Sequence, residues 1–285
     1  MDGIIIINKP IGITSFDVIR KLRKILKERK IGHTGTLDPL AEGVMIVCIG
    51  KSTKLAQDIE AYTKEYIAGF SLGYETDSQD TEGKIIKESD NFNVNLETLK
   101  ETIASFIGKI KQTPPMFSAI KQDGKKLYHL ARNGITIDRE ARDIEIKYID
   151  ILSFNGLTGF IKTKVSKGTY IRTLINDIGK KLGTFATMTS LKRTQVGDIS
   201  IENSFSIDKI EQMNAENDQS FLLPVETFFD YAVFHIILEK DFILFINGNT
   251  VIINNDDGMY KIYYKNNFLG FGKVVDNHLK GYKYF

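Results

Sequence analysis

Asp38 lies in a loop between two glycines, Gly35 and Gly43, in the run Gly35-Thr36-Leu37-Asp38-Pro39-Leu40-Ala41. An ionised carboxylate in such a loop can act as a nucleophile or stabilise an electron-poor centre. The Asp-Pro pair is also common in ordinary turns, because Asp hydrogen-bonds nearby backbone and Pro fixes φ. The loop alone therefore leaves two interpretations open, a catalytic carboxylate and a simple turn.

Two other short motifs resemble ligand-binding loops, but their context does not fit. Gly50-Lys51-Ser52 follows an apolar strand as in a P-loop, yet Met45 stands where that motif needs its first glycine. A strand-to-helix turn explains this segment better. Gly32-His33-Thr34-Gly35 has the form of a KH-domain loop, but a strand follows where a KH domain has a helix. Neither motif supports a nucleotide-binding or KH function.

Other chemistry has little support in the sequence. The four histidines, at positions 33, 129, 235 and 278, lack metal-ligand spacing. No Gly-x-Ser-x-Gly elbow and no His-Glu-x-x-His segment is present. A single cysteine, Cys48, excludes an internal disulfide and a multi-cysteine zinc site, and its apolar surroundings predict an inert core thiol. Hydrolase and metalloenzyme functions are thus disfavoured.

Periodicity predicts the elements that hold the Asp38 loop. Residues 3–7 and 44–49 are typical of buried strands, and 64–73 alternate as a strand that ends in an acidic turn, 75–82. Thr14, Ser15 or Asp17 can cap a helix over 16–29, whose apolar positions lie on one face. Further helices are predicted at 53–62, at 96–106 with Asn95 as N-cap, and at 171–182.

The rest of the chain completes an α+β pattern. Strands are predicted near 143–154, 159–166 and 188–201, with a short helix from Ser206. Residues 109–142 form a long excursion with a double proline, aromatic residues and its own short helix. After about residue 232, β-branched residues and Asn/Gly turns indicate a small β-barrel. Helices and strands without regular βαβ alternation favour a mixed or antiparallel sheet.

Composition and charge set the class of protein. The 285 residues are 42% hydrophobic and 26% charged, as expected of a soluble globular protein of one large and one small domain. The net charge is only +2, but residues 20–30 carry seven basic residues, a solvated face or a local phosphate-binding surface. No apolar run is long enough to span a membrane and no secretory leader is evident, so we expect a cytoplasmic protein.

A series of segments closely resembles the TruB-type tRNA pseudouridine synthases. The first are Asn8-Lys9-Pro10 with Thr14-Ser15, and the whole loop from Gly32 to Gly43. The series continues, in order and at compatible spacing, to about residue 200 through the segments Lys64-Glu65-Tyr66, Leu72-Gly73, Thr76 to Gly83, Gln112 to Ala119, Gly124 to Tyr128, Ala131 to Gly134, Arg139 to Arg142, Lys167 to Arg172 and Leu191 to Thr194. A looser likeness to a PUA domain, an RNA-binding barrel, covers 232–285.

The resemblance implies a reaction and an architecture. It implies isomerisation of uridine 55 in the T loop of tRNA to pseudouridine, by base flipping and an aspartate nucleophile, without a cofactor. It also implies a pseudouridine synthase catalytic domain at 1–231, with an RNA-clamping insertion at about 109–142, and a PUA-like RNA-binding domain at 232–285. The partner would be the T arm and elbow of tRNA, with no membrane, no obligatory protein partner and a monomeric chain.

The resemblance also assigns roles to particular residues. Asp38 would be the nucleophile, Arg172 would keep it ionised and oriented, and Tyr66 would lie against the target base and could transfer a proton. His33 would stack into the T loop, Asp80 would contact flipped nucleotides, and Leu191 would line the pocket. Further substrate-binding residues are expected in the matching segments and the insertion: Lys9, Tyr170, Lys121, Lys125, Lys126, Tyr128, Arg132, Arg139 and Arg142.

Two alternatives remain at this point. The chain could be an RNA chaperone that folds the tRNA elbow without chemistry, alone or in addition to catalysis. It could also belong to the guide-RNA-dependent branch of the same family, although its compact length and lack of a long basic tail disfavour that branch. Asp38, Tyr66 and Arg172 together favour catalysis.

Overall fold

The computed structural model describes residues 1–90, 94–122 and 124–285. In chain order, the elements from the N-terminus to residue 112 are β1 (Gly3–Lys9), α1 (Ser15–Leu26), β2 (Ile31–His33), β3 (Ala41–Ile49), α2 (Ala56–Glu60), β4 (Lys64–Leu72), β5 (Tyr74–Thr76), β6 (Ile85–Glu88), α3 (Leu96–Ala104) and β7 (Gly108–Gln112). Those that follow are β8 (Lys121–Gln122), β9 (Lys125–Lys126), α4 (Leu127–Arg132), β10 (Arg142–Phe154), β11 (Thr158–Val165), α5 (Ile171–Leu182), β12 (Ala186–Val196), β13 (Ile199–Ser200), α6 (Ile207–Ala215), β14 (Ala232–Ile236), α7 (Glu239–Ile246), β15 (Val251–Ile252), β16 (Gly258–Tyr264), β17 (Asn267–Val275) and β18 (His278–Tyr284). Short 3-10 helices span Gly50–Leu55, Ile201–Asn203 and Val225–Thr227.

A large mixed sheet forms the centre of the molecule. Its strand order is β1-β3-β12-β4-β11-β10-β7, with β2 paired to β3 and β13 paired to β12. Neighbouring strands run antiparallel, except that β3 and β12 are parallel. This sheet confirms the predicted α+β class. Strand β4, which carries Tyr66, lies between β12 and β11 near the middle.

Strand β3 is buried on both faces. Met45 and Val47 pack with α1 and α6, whereas Val44 and Ile46 pack into a separate cluster on the opposite side. This two-sided burial explains the nearly continuous apolar run in the sequence. Each such side chain contributes roughly 1.5–3 kcal/mol to folding by leaving water. Cys48 also lies here, and burial raises the pKa of its thiol to about 12.

Helix α1 begins with a reciprocal cap. The Thr14 hydroxyl accepts from the Asp17 backbone N–H, while the Asp17 carboxylate accepts from the Thr14 backbone N–H. This capping box satisfies two of the free donors at the helix start. The helix ends at Leu26, where Lys27 adopts a left-handed conformation with φ 52°. Thr14 is therefore the N-cap among the candidates that the sequence offered, which leaves Ser15 available for another role.

Helix α5 lies on the same face of the sheet as α1. Its side chains Leu174, Ile175 and Ile178 pack on the face of β4 that carries Ala68 and Phe70. That face continues through the paired residues Leu191 and Ala41 into the α1 side of β3. Helix α5 approaches β12 closely at Gly179, where a Cβ would lie 2.2 Å from the Ala186 nitrogen. The loop between β2 and β3 thus lies between two helices on one face.

A second sheet, in the order β14-β16-β17-β18-β15, forms a small barrel-like unit at the end of the chain. It packs against the main sheet through Phe271, whose ring contacts Phe229 at 5.2 Å and Tyr231 at 5.5 Å. On α2, the Asp58 carboxylate accepts from the Tyr282 hydroxyl at 2.5 Å and pairs with Lys283 at 3.6 Å. Strands β17 and β18 therefore join the unit to the main sheet and α2 by apolar and polar contacts.

The structure changes several predicted boundaries. The excursion predicted at 109–142 is shorter, because β7 and β10 pair with each other in the main sheet and leave 113–141 outside it. The acidic turn at 75–82 belongs to a hairpin, β5–β6. Helix α7 in the final unit was not predicted, since the apolar residues of that region suggested strands. Within the described ranges, no helix is long and apolar enough to cross a membrane.

Candidate active site

Ser15 fixes the backbone beside Asp38. Its Oγ accepts a hydrogen bond from the Leu37 N–H at 2.8 Å and donates one to the Leu37 carbonyl at 2.9 Å. A serine hydroxyl can do both at once because it carries one donor and two acceptor lone pairs. The Gly12 N–H also binds the Pro39 carbonyl at 2.9 Å. The segment before and at the start of α1 thus holds both neighbours of Asp38.

Two buried cationic side chains, Lys9 and Arg193, bind backbone carbonyls in and beside the same loop. The Lys9 ammonium donates to the Ala41 carbonyl at 2.7 Å and to the Pro10 carbonyl at 2.9 Å. The Arg193 guanidinium donates to the Gly35 carbonyl at 3.2 Å and to the Val44 carbonyl at 2.6 Å. Burial lowers the pKa of Lys9 to about 8, because the ammonium has lost its water.

These contacts revise the expectation for Lys9 and add Arg193. Lys9 is fully buried and bonded to backbone, so its place is inside the loop and not at a substrate surface. Arg193 was not among the predicted site residues, although the segment Leu191 to Thr194 was recognised. An arginine within the predicted strand 188–201, in the recognised segment Leu191 to Thr194, was the available signal. Gly43 leaves room for the β12 backbone there, since a Cβ would lie 2.2 Å from the Arg193 carbonyl oxygen.

Arg172 joins two carboxylates. Its Nη2 lies 3.0 Å from Asp38 Oδ2, and its Nη1 lies 3.5 Å from Asp80 Oδ2. The guanidinium also donates to the Ser78 carbonyl at 2.8 Å and to the Phe117 carbonyl at 2.9 Å. Arg172 sits in the first turn of α5, where the helix dipole disfavours a cation. The two carboxylates offset that cost and hold the side chain in one orientation.

The two carboxylates differ in exposure. The Asp38 side chain is 38% exposed, whereas that of Asp80 is 5% exposed. Asp80 Oδ1 accepts from the Ser78 hydroxyl at 2.5 Å and from the Glu82 N–H at 3.1 Å. In this arrangement Asp80 supports Arg172 from inside, and Asp38 presents an open carboxylate. Contact of Asp80 with flipped nucleotides stays a prediction.

An apolar wall lies beside Asp38. Tyr66 and Leu191, each 8% exposed, share one buried cluster with Leu37 and Ile171. Tyr66 lies opposite Arg193 across the β4–β12 pair. The fold therefore brings Tyr66, Leu191 and the neighbours of Asp38 and Arg172 together on one face. Such a wall can pack against a flat pyrimidine ring.

His33 ends β2 just before the loop that carries Asp38. Its Nδ1 accepts from the Gly35 N–H at 3.3 Å, with the tautomer assigned from that bond. Burial lowers the pKa of His33, and the positive charge of Arg193 lowers it further. The imidazole is therefore neutral at pH 7, in the form that can stack on a base without a charge.

Gln112 ties the start of α5 to the base of the insertion. Its side-chain amide accepts from the Tyr170 N–H at 2.8 Å and donates to the Tyr170 carbonyl at 3.1 Å. Tyr170 is the N-cap residue of α5, and burial raises the pKa of its hydroxyl. Arg172 also donates to the Phe117 carbonyl, so the segment that follows β7 is bonded directly to the arginine that pairs with Asp38.

The described clamp residues lie in the excursion and at the start of β10, where Arg142 pairs with Gln112 across β7 and β10 and its positive charge acts on Tyr170. In helix α4, the guanidinium carbon of Arg132 lies 5.6 Å from the ring centroid of Tyr128, and both belong to the insertion. Arg142 is exposed at the start of β10, and Arg139 is half-buried before it. The predictions for Lys121, Lys125 and Lys126 concern side chains that lie outside the described part of the structure.

The described residues contain no cluster of three or more His, Cys, Asp or Glu side chains placed to bind a metal ion.

The family model for the N-terminal domain of TruB family pseudouridylate synthases matches residues 23–171. The model for the tRNA pseudouridylate synthase B C-terminal domain matches residues 172–230. The chain belongs to the TruB family.

Sequence relatives agree with this assignment. A tRNA pseudouridine synthase B of Fusobacterium nucleatum is 57% identical over 100% of both chains. A tRNA pseudouridine synthase B of Clostridium tetani is 50% identical over 79% of this chain and 77% of the relative. The fold matches a solved chain, described as an H/ACA RNP bound to a substrate RNA, with TM-score 0.72 and 22% identity over 99% of this chain and 84% of that chain.

The boundary between the two TruB family models passes through the site. Asp38 and Asp80 lie in the segment matched to the N-terminal domain, whereas Arg172 is the first residue matched to the C-terminal domain. Strand β12, in the second segment, pairs with β3 and β4 of the first. The two matched segments therefore build one sheet and one TruB site.

Proposed function

We propose that this TruB family member converts uridine 55 in the T loop of tRNA to pseudouridine, with Asp38 as the nucleophile. The observation that carries the proposal is the pairing of an open Asp38 carboxylate with a buried Arg172 at 3.0 Å. The guanidinium pairs with the carboxylate and fixes its direction by charge-assisted hydrogen bonding. An ionised, oriented carboxylate is the group that this reaction needs.

The reaction is an isomerisation. The bond from C1′ to N1 of the base breaks, the base turns, and a bond from C1′ to C5 forms. The C5 proton leaves and N1 gains a proton, so nothing is oxidised or reduced and no cofactor is consumed. Asp38 can serve by attack at C1′ or by supporting a glycal intermediate, and both routes start from the same ionised oxygen facing the sugar.

The apolar wall gives the target base its place. The base must leave its stack in the T loop, at a cost of roughly a few kcal/mol. Tyr66 and Leu191 offer a largely water-free surface for the flipped ring, and Tyr66 can take part in proton transfer. We assign the stacking role in the remodelled T loop to His33, whose neutral imidazole lies next to Gly35 of the catalytic loop.

We propose that the C-terminal domain and the excursion after β7 bind the rest of the tRNA. We assign residues 1–231 to catalysis and 232–285 to a PUA-like RNA-binding domain, with the excursion after β7 closing on the T arm. Tyr170 and the basic residues of that excursion supply stacking and phosphate contacts. A role in folding the tRNA elbow is compatible with the same grip. The enzyme would act on tRNA in the cytoplasm without a protein partner.

Release of tritium from C5 of uridine-labelled tRNA transcript tests the proposal. Wild type should release tritium, Asp38→Asn should release none above background, and a transcript without uridine at position 55 should be inert. Asp150→Asn, at an exposed position of β10, is a control for loss of one carboxylate outside the site. Equal release by wild type and Asp38→Asn would remove the catalytic assignment. Retained tRNA binding and folding by Asp38→Asn would separate the chaperone role from catalysis.

A further inference from the structure

Helix α1 presents an exposed stripe that the catalytic site does not use. Phe16, Arg20 and Lys24 follow one another at spacings of four residues, so they lie along one side of the helix, and Lys27 follows at its C-terminal end. All four are exposed, and the Phe16 ring is 61% exposed. Ile11, which is 58% exposed, precedes the helix. We call these five residues the α1 surface.

The α1 surface begins next to the catalytic loop. Ser15, the neighbour of Phe16, bonds both backbone atoms of Leu37, and Gly12, the neighbour of Ile11, bonds Pro39. Helix α1 also lies on the same face of the sheet as α5, which carries Arg172. A ligand whose reacting group meets Asp38 therefore brings its adjoining part towards Phe16. From there the helix extends about 18 Å at 1.5 Å per residue.

The charge of the α1 surface favours a polyanion. Arg20 pairs with Asp17, but within the described residues Lys24 and Lys27 have no acidic partner. Unpaired lysines in a row, with an exposed aromatic ring at one end, combine phosphate attraction with a platform for base stacking. A purely apolar protein partner would not need the lysines, and a basic one would be repelled by them.

We propose that the α1 surface binds the RNA strand adjoining the target uridine, with Phe16 stacked on an unpaired base and Lys24 and Lys27 against phosphates. This inference rests on the proposed function for its substrate class. It adds a contact region on the α1 side of the catalytic loop, separate from the excursion and from the C-terminal unit.

The salt dependence of tRNA binding tests the lysines. Removal of one lysine–phosphate interaction should reduce the slope of log K against log salt concentration by about 0.7–0.9. Lys24→Gln/Lys27→Gln should therefore weaken binding at low salt and lower the slope by about 1.5. Lys100→Gln/Lys147→Gln removes the same net charge from α3 and β10, towards the opposite edge of the sheet, and should leave the slope unchanged.

Paired aromatic variants test stacking. Phe16→Ala should weaken tRNA binding by roughly five- to a hundredfold, the range for removal of one base–aromatic stack. Phe16→Tyr keeps the ring and should bind as wild type does. Phe160→Ala removes a ring that is 46% exposed on β11, with its side chain on the sheet face opposite α5, and should not weaken binding.

The outcomes distinguish this inference from the proposed function. If wild type neither binds tRNA nor releases tritium from it, the proposed function fails. If wild type does both, and the α1 variants match the control variants in affinity and salt slope, the α1 surface does not bind RNA and the inference is overturned. Circular dichroism of each variant shows whether the fold is retained, and Phe16→Tyr and Lys24→Arg/Lys27→Arg provide the rescue that a folding defect would not give.

Discussion

At the scale of single residues, Arg172 makes the contacts that hold the candidate site together. Its guanidinium reaches two carboxylates and two backbone carbonyls at once, with Asp38 on the exposed side and Asp80 on the buried side. A planar fork with five donors can satisfy such a set, whereas a single ammonium cannot span it. The site therefore requires an arginine and not merely a positive charge.

Arg172→Lys is expected to lower kcat on the order of a hundredfold, because the ammonium cannot make the hydrogen bonds that orient Asp38. Arg172→Met should in addition cost about 3–5 kcal/mol of unfolding free energy, since the buried Asp80 carboxylate would lose its cationic partner. Single-turnover tritium release and urea unfolding measure the two effects. Arg29→Lys, at an exposed position, serves as control. Full activity of Arg172→Lys would show that orientation by the fork is unimportant.

Ser15→Ala should cost about 1–3 kcal/mol, because the buried Leu37 N–H would lose its acceptor. The catalytic loop would also loosen, so kcat should fall more than tRNA affinity. Ser105→Ala, at an exposed position after α3, is the matched control. Stability and kcat unchanged within error in Ser15→Ala would contradict the positioning role.

The lowered pKa of buried Lys9 should make the free energy of unfolding depend on pH. Its folded pKa of about 8 lies below the ordinary 10.5, so between these values the unfolded chain binds more protons than the folded one. The free energy of unfolding should therefore rise with pH across this window, and the cost of burying the charge is fully present below pH 8. Urea unfolding of wild type and Lys9→Met over that range measures the difference. Lys64, with a pKa also near 8, should preserve part of the rise in the variant; parallel curves would refute the contribution of Lys9.

At the scale of elements, much of the fold was predictable from local signals. The predicted helix 171–182 matches α5, the predicted N-cap Asn95 is confirmed, and the helix predicted from Ser206 begins at Ile207 with Ser206 as its N-cap. Periodicity and capping are local properties, so the sequence carries them directly. The start of β3 at Ala41 was missed, because pairing with β12 and not local preference extends that strand. Arg193 was missed for a similar reason, since its acceptors lie 149 and 158 residues away in the chain.

Gln112 offers a test of the link between the insertion root and α5. Gln112→Leu removes both hydrogen bonds to Tyr170, so the first turn of α5 should shift and Arg172 with it. We expect a loss of about 1–3 kcal/mol in stability and a fall in kcat larger than the rise in KM. Gln57→Leu on α2 controls for the substitution itself. A rise in KM alone would place Gln112 in RNA binding and not in positioning.

At the scale of the whole molecule, the site depends on elements far apart in the chain. Strands β1 and β3 carry side chains in two separate apolar clusters, one against α1 and α6 and one that includes Phe271 of the final unit. The loop that carries Asp38 leads directly into β3. The final unit therefore stabilises the sheet from the face opposite the active site.

Phe271→Ala should expose this dependence. The ring is fully buried between the two units, and its truncation should cost about 3–5 kcal/mol. Thermal unfolding of wild type should be a single transition, whereas the variant should unfold earlier or in two steps. Val275→Ala, at an exposed position of the same strand, should melt like wild type. An unchanged melting profile for Phe271→Ala would mean that the units fold independently.

The buried thiol of Cys48 has a practical consequence. It is the single cysteine of the chain, it is inaccessible, and its raised pKa of about 12 leaves almost no thiolate at neutral pH. A cysteine introduced at an exposed position such as Ile135 or Ile237 would then be the sole group that a maleimide dye labels. Two such positions would report by resonance energy transfer how the excursion and the final unit approach each other when tRNA is added, without first removing a native cysteine.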